Sequence, residues 1–240
     1  MSGPNGALSY CSETVSIADR SVEFPRLHLT PAYSLKGRVT VTGAKPDAPF
    51  PKGLRVSLQP KDRIRITGES TAGSVDGHGA FEISRALTDE YWLEILGLPS
   101  GYYVREASID GRDAWNEPLR IGTGELHAVL GADGPTLTGQ VSDDENRPVA
   151  GAVLILAAAT MRRGLAPGQI LVSAADRNGQ FSYSSMSPGD YRLMAFVNLA
   201  LEEAEDPDLV RASFGRAMQV SLSPGEQKNV LIRPLQHGSR

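Results

Sequence analysis

Two stretches of this chain spell one pattern at a separation of about 100 residues. Leu35-Lys36-Gly37-Arg38-Val39 is answered by Leu137-Thr138-Gly139-Gln140-Val141, 102 positions later. Asp76-Gly77-His78-Gly79-Ala80-Phe81 returns as Asp176-Arg177-Asn178-Gly179-Gln180-Phe181, and Tyr91-Trp92-Leu93 as Tyr191-Arg192-Leu193, both at an offset of 100. Solenoid units run roughly 20 to 50 residues, so a repeat of this length is a whole domain. The chain of 240 residues therefore reads as two tandem copies of one small fold.

Local signals within each copy are those of strands. Arg38-Val39-Thr40-Val41 and Leu54-Arg55-Val56-Ser57-Leu58 alternate at period two, as a sheet with one wet face requires. Ala152-Val153-Leu154-Ile155-Leu156 is a continuous apolar run and predicts a strand buried on both faces. Asp76–Gly79 and Asp176–Gly179 are turn sequences, because Asp bonds its own following backbone and Gly or Asn tolerates positive φ. Ser187-Pro188-Gly189-Asp190 is another, and the Pro-rich spacer 46–51 supplies few ladder donors. Short strands separated by such turns predict an antiparallel sandwich. One segment breaks the pattern: helix formers at 199–205, then Asp206-Pro207 as cap and first helical position, predict a short helical insertion in the second copy. Its counterpart in the first copy, 112–118, reads as a loop.

The expected organisation is a first sandwich over 32–132, a second over 133–236, and a tail at 237–240. The linker Gly131-Ala132-Asp133-Gly134-Pro135 is short. Residues 1–31 read either as the last strands of a preceding copy, with a turn at 18–20 and a closing strand at 22–29, or as an added hairpin. The closing strand resembles those at 126–130 and 229–233.

Composition narrows the function classes. The formal net charge of -4 lacks the clustered basic face of a nucleic-acid binder. The densest basic stretch, Lys61-Asp62-Arg63-Ile64-Arg65, reads as a solvated strand face. The single cysteine, Cys11, leaves each fold to stand on its core rather than on an internal disulfide. No window reaches 18 consecutive apolar residues, so no insertion into a membrane is expected. Met1–Gly6 lacks a basic segment followed by an apolar one. The remnant reading of 1–31 then favours a piece of a longer exported protein, in the cell envelope or secreted.

The progression Gly139-Gln140-Val141, Pro148-Val149-Ala150-Gly151-Ala152-Val153, Asp176-Arg177-Asn178-Gly179-Gln180-Phe181, Pro188-Gly189-Asp190-Tyr191-Arg192-Leu193 resembles the carboxypeptidase regulatory-like domain. The likeness covers 135–234 well and 33–131 loosely, since the first copy has Thr88-Asp89-Glu90 in place of Pro-Gly-Asp. It implies an all-β fold: tandem Greek-key β-sandwiches of the transthyretin-like or immunoglobulin-like kind, with about seven strands each. The implied roles are accessory: folding support, attachment, and protein or carbohydrate contact.

Enzymatic readings find little to rest on. There is no His-x-His pair, no His-Glu-x-x-His and no Gly-x-Ser-x-Gly, and the four histidines are isolated. Asp143-Asp144-Glu145-Asn146 is a candidate calcium turn, being a run of closely spaced oxygen ligands. Trp92, Trp115, Tyr102 and Tyr103 are the candidate ligand-binding aromatics, flat rings on which a sugar stacks; alternation turns Tyr91 inward and Trp92 to the opposite face. The reading is a non-catalytic structural or interaction module without cofactor, whose partners are neighbouring domains of a longer chain or another protein. The alternative is a carbohydrate-binding module with its site in the first copy.

Overall fold

The computed structural model describes residues 9–10, 30–61, 71–87, 90–160 and 169–236. The expected turn at 18–20 and strand at 22–29, Cys11, residues 62–65 of the basic stretch, Thr88, Asp89 and the tail 237–240 lie outside the described residues.

Strands β1 (Ser9–Tyr10) and β2 (Thr30–Pro31) pair antiparallel as a sheet of their own. Nine strands follow: β3 (Tyr33–Thr42), β4 (Arg55–Pro60), β5 (Ala72–Ser74), β6 (Ala80–Ala86), β7 (Glu90–Leu96), β8 (Tyr103–Ile109), β9 (Arg112–Asp113), β10 (Leu119–Arg120) and β11 (Leu126–Gly131). They form two sheets, ordered β10-β7-β4-β5 and β6-β3-β11-β8-β9. The second repeat builds the corresponding pair from β12 (Thr136–Val141), β13 (Val153–Ala158), β14 (Ile170–Ala174), β15 (Gln180–Tyr183), β16 (Gly189–Val197), β17 (Met218–Leu222) and β18 (Gln227–Ile232). Its sheets are β15-β12-β18 and β14-β13-β16-β17, with β19 (Leu235–Gln236) running parallel beside β16. The fold is all-β, two sandwiches in sequence.

The repeat is a repeat of contacts. In β12 the buried and half-buried residues alternate, and Leu137 and Val141 join Phe181, Tyr183, Tyr191 and Leu193 in one core. Leu35, Val39, Phe81, Tyr91 and Leu93 are buried at the matching places of the first repeat. Gly139 stands opposite Phe181, and a Cβ there would lie 2.5 Å from the ring and 2.3 Å from the Val230 carbonyl oxygen. Gly37, opposite Phe81, would meet that ring at 2.4 Å and the Leu126 oxygen at 2.3 Å. Only a residue without a side chain lets three backbones and a ring come this close. Most of the pairing is antiparallel; besides β19 on β16, β12 and β18 run parallel, over six register pairs from Thr136↔Gln227 to Val141↔Ile232.

The two repeats part company after their long central strands. β13 is buried on both sides, as its apolar run predicts. Leu154 and Leu156 face the inter-sheet core, while Val153, Ile155 and Ala157 join Met194 and Phe196 on the outer face. That outer face is covered by Leu199, Ala204 and Val210, carried on and just before helices α1 (Leu201–Ala204) and α2 (Pro207–Ser213). Asp206 caps α2 by accepting from the Asp208 N–H at 2.9 Å, with Pro207 following. The corresponding outer positions of the first repeat are mostly polar, Arg55, Ser57 and Gln59 on β4 and Glu94 on β7, with Trp92 half-buried and Leu96 exposed among them; Gln59 Nε2 donates to Glu94 at 3.1 Å. No helix follows there. Residues 103–113 form the hairpin β8–β9 (Ser108↔Asp113, Ile109↔Arg112) at the edge beside β11, so the segment read as a loop at 112–118 begins as a strand.

By contact density the chain divides into Met1–Val39 with Lys52–Leu96 and Ala107–Ala128, and Thr40–Pro51 with Gly97–Glu106 and Val129–Arg240. The second unit thus includes three pieces of the first repeat.

Replacing Phe81 or Phe181 by Ala should each cost about 3–5 kcal/mol through the cavity left beside the paired glycine. Urea denaturation checks this, and a loss below about 1 kcal/mol at either position would exclude the assigned register.

Candidate functional site

Asp76, Asp143 and Asp176 sit at turns, and their carboxylates are engaged there. Asp76 Oδ1 accepts from the N–H groups of His78 at 2.8 Å and Ala80 at 2.9 Å. Asp176 Oδ1 accepts from Asn178 and Gln180, both at 2.8 Å. The glycine at the end of each turn has positive φ, 83° at Gly79 and 71° at Gly179, and its carbonyl accepts from the first strand at Val39 and Val141. These donors hold the Asp76 carboxyl below its ordinary value, chiefly through the His78 and Ala80 N–H groups.

The candidate calcium turn 143–146 has the same construction. Asp143 Oδ1 accepts from Glu145 N at 3.0 Å and Arg147 N at 2.9 Å, and its other oxygen accepts from Arg147 Nε at 2.7 Å. Arg147 also pairs with Glu145 at 2.8 Å. Arg233 reaches across from the end of β18 to Asp144 at 3.3 Å, to Asn146 Oδ1 at 3.4 Å and to the Asp143 carbonyl. Two guanidinium groups therefore already contact an oxygen of each of the four residues, and the backbone and side chain of Arg147 hold the Asp143 carboxyl low. Among the described residues no group of three or more His, Cys, Asp or Glu is placed to hold a metal ion.

The four candidate aromatics have different fates. Trp92 lies half-buried on the outer face of β7, opposite Gln59, with Tyr91 turned into the core as alternation predicts. Trp115 is half-buried in the turn after β9, where its N–H and that of Asn116 donate to Asp113 Oδ1 at 2.8 and 2.9 Å. Among the described residues no ring contact joins the two tryptophans. Tyr102 is half-buried. Tyr103 corrects the expectation of an exposed platform, because only 6% of it is exposed. Its ring lies on the linker glycines: a Cβ on Gly131 would be 2.4 Å from it, and one on Gly134 3.3 Å. Burial, and then the neighbouring Asp133 carboxylate, push its hydroxyl pKa up. The same unit is stitched further by Gly134 N donating to Gly101 O at 2.7 Å and by the Ser185 hydroxyl donating to Pro99 O at 3.0 Å.

The sequence reading missed an open cleft beside β10, lined by Glu90, Asp110, Arg112, Asp113, Glu117 and Arg120. Lys61 and, at 3.4 Å, Arg120 pair with Glu90, and these partners, Lys61 foremost, hold its carboxyl low. The signal in the sequence was Asp110-Gly111, a turn pair in which Asp110 itself takes positive φ (50°). Of its carboxylates Glu90 is the one held by two cations, and the open, charged lining suits a solvated edge.

No family model matches the chain, and none of the curated proteins matches it. The solved structures to which this chain is similar include three bacterial proteins. The Bacillus anthracis TIE protein is 14% identical over 87% of this chain, with a TM-score of 0.31, and the match takes in 36% of that protein. BcpA, the major pilin subunit of Bacillus cereus, is 10% identical over 83% of this chain and 98% of its own, with a TM-score of 0.31. The shaft pilin SpaA of Lactobacillus rhamnosus GG is 9% identical over 85% of this chain and 98% of its own, with a TM-score of 0.32. The sandwich architecture itself is read from the sheets of this chain.

A pH dependence follows from the turns. Asp76 and Asp143 have folded values below the ordinary 3.8, so their contribution to stability is complete above 3.8 and is lost as pH falls through the lower folded values. Urea midpoints measured from neutral pH down to the acid range should fall in that window. In an Asp76→Asn, Asp143→Asn variant the fall should be shallower, Glu90 and Glu226 accounting for what remains.

Proposed function

We propose that this chain is a non-catalytic structural and interaction module, part of an exported multidomain protein of bacterial type, whose partners are neighbouring domains or another protein. One observation carries this reading: the side chains with the chemistry to bind or react are invested in the frame. Asp76, Asp176 and Asp143 each tie down two backbone N–H groups. Arg147 and Arg233 close the acidic turn, and Tyr103 seats the linker. A frame that commits its charged groups in this way gains definition of shape and gives up reactivity. The resemblance of 139–193 to carboxypeptidase regulatory-like domains, which accompany other domains, supports the same role. Among the described residues no helix is long and apolar enough to cross a membrane.

The carbohydrate reading supplies the test. A glycan array probed with the folded chain should be blank. Binding that disappears in Trp92→Ala or Trp115→Ala would replace the module reading with that of a carbohydrate-binding protein and place the site on the first repeat.

A further inference from the structure

The strands that open and close the core of each repeat, β3 with β11 and β12 with β18, are neighbours that run in the same direction; the two-residue β19, paired with β16, follows β18. In the second repeat the parallel β12–β18 ladder is bounded by Thr136 N donating to Glu226 O at 2.8 Å and Ser142 N donating to Ile232 O at 3.1 Å. Two side-chain bonds cross the same seam: Asn229 Nδ2 to Thr138 Oγ1 at 3.0 Å, and Thr138 Oγ1 to Lys228 O at 3.4 Å. In the first repeat Gly37 lies beside Leu126 O, and Thr42 O accepts from Ala132 N at 3.0 Å, so β3 and β11 also advance together.

We infer that each repeat is built to carry tension along the chain, a function that rests on the module reading and extends it. The start of β12 and the end of β18 lie at opposite ends of one ladder. Once the two register pairs of β19 with β16 have yielded, a pull on the two termini therefore slides the strands past one another and strains every ladder bond together. Pulling both strands from the same end would open those bonds one at a time. Forced unfolding is governed by the unfolding rate, so a barrier that needs all the bonds to fail at once slows it most. The seam is reinforced at the points a clamp needs. Phe181 pins Gly139 against Val230 in mid-ladder, and Arg233 ties the exit of β18 to the turn after β12. The bonds at its two ends, with parallel alternation, turn the N–H groups of Lys228, Val230 and Ile232 toward β12. Those of Gln227, Asn229 and Leu231 face the open edge, on which no described strand lies.

Single-molecule stretching of the full chain tests this. One tether uses the two termini. The other uses the N-terminus and a cysteine at Ser223→Cys in a Cys11→Ser background, which pulls β12 and β18 from the same end. The second repeat, identified by its contour-length step, should unfold at clearly higher force in the end-to-end tether, and equal forces would overturn the inference. Within the end-to-end tether, Val230→Pro removes a bond to β12 and should unfold about fivefold faster at fixed load, the equivalent of about 1 kcal/mol for one hydrogen bond. Leu231→Pro, whose lost N–H faces the free edge, should change little by comparison; equal effects of the two prolines would also overturn it. Should Val230→Pro fail to fold, the comparison of tethers decides alone. Low end-to-end force with a blank glycan array would remove tension-bearing and leave the module reading standing. Sugar binding through Trp92 or Trp115 would remove the module reading whatever the force.

Discussion

The seating of one phenylalanine ring on one glycine organises each repeat. Phe81 on Gly37 and Phe181 on Gly139 bring the ring of one strand within van der Waals reach of a backbone that a side chain would hold away. The same glycine admits the carbonyl of the last strand, at Leu126 in the first repeat and Val230 in the second. Three strands distant in sequence are thereby fixed at one point, and the inter-sheet core closes around it with Leu35 and Tyr91, or Leu137 and Tyr191. The close pairing of β12 with β18 at Gly139 and Val230 depends on that approach.

The divergence of the repeats follows from the outward-facing residues of their central strands. Val153, Ile155, Met194 and Phe196 present apolar area that water would penalise at roughly 25 cal/mol per Å². The segment after β16 therefore folds as two short helices that cover it, the second of them capped by Asp206. Arg55, Gln59 and Glu94 at the matching places are solvated, so the segment after β7 is free to extend a sheet edge instead. The beginning of that hairpin, through Tyr103 and Gly101, meets the linker glycines and so belongs to the compact unit that contains the second repeat. An aromatic that sequence alone offers as a ligand contact is in this way a structural bolt.

Acidic turns in this protein illustrate how chemistry that suits a metal also suits a backbone. A carboxylate surrounded by N–H donors and arginines is already satisfied. Asp143 has both of its oxygens engaged and Arg233 stands across the turn, so a cation would have to displace charge-assisted bonds rather than fill a gap. What these groups supply is definition: each turn delivers its phenylalanine or strand at a set register, which is the property a module under tension requires.

Much of this was legible in the sequence because it is local or periodic. The repeat, the Asp-anchored turns, the inward Tyr91 and Tyr191, the two-faced burial of 153–157 and the Asp206-Pro207 helix start are each decided by neighbouring residues and their alternation. The hairpin at 103–113, the burial of Tyr103, the arginine closure of 143–146 and the parallel sense of β12 and β18 were decided only by tertiary structure. The hairpin pairs locally but takes its place from β11 beside it, and each of the others depends on a partner some 30 to 90 residues away, as with Gly131 for Tyr103 and Arg233 for Asp144. A period in sequence says which face a residue takes; it does not say which strand, linker or cation stands opposite.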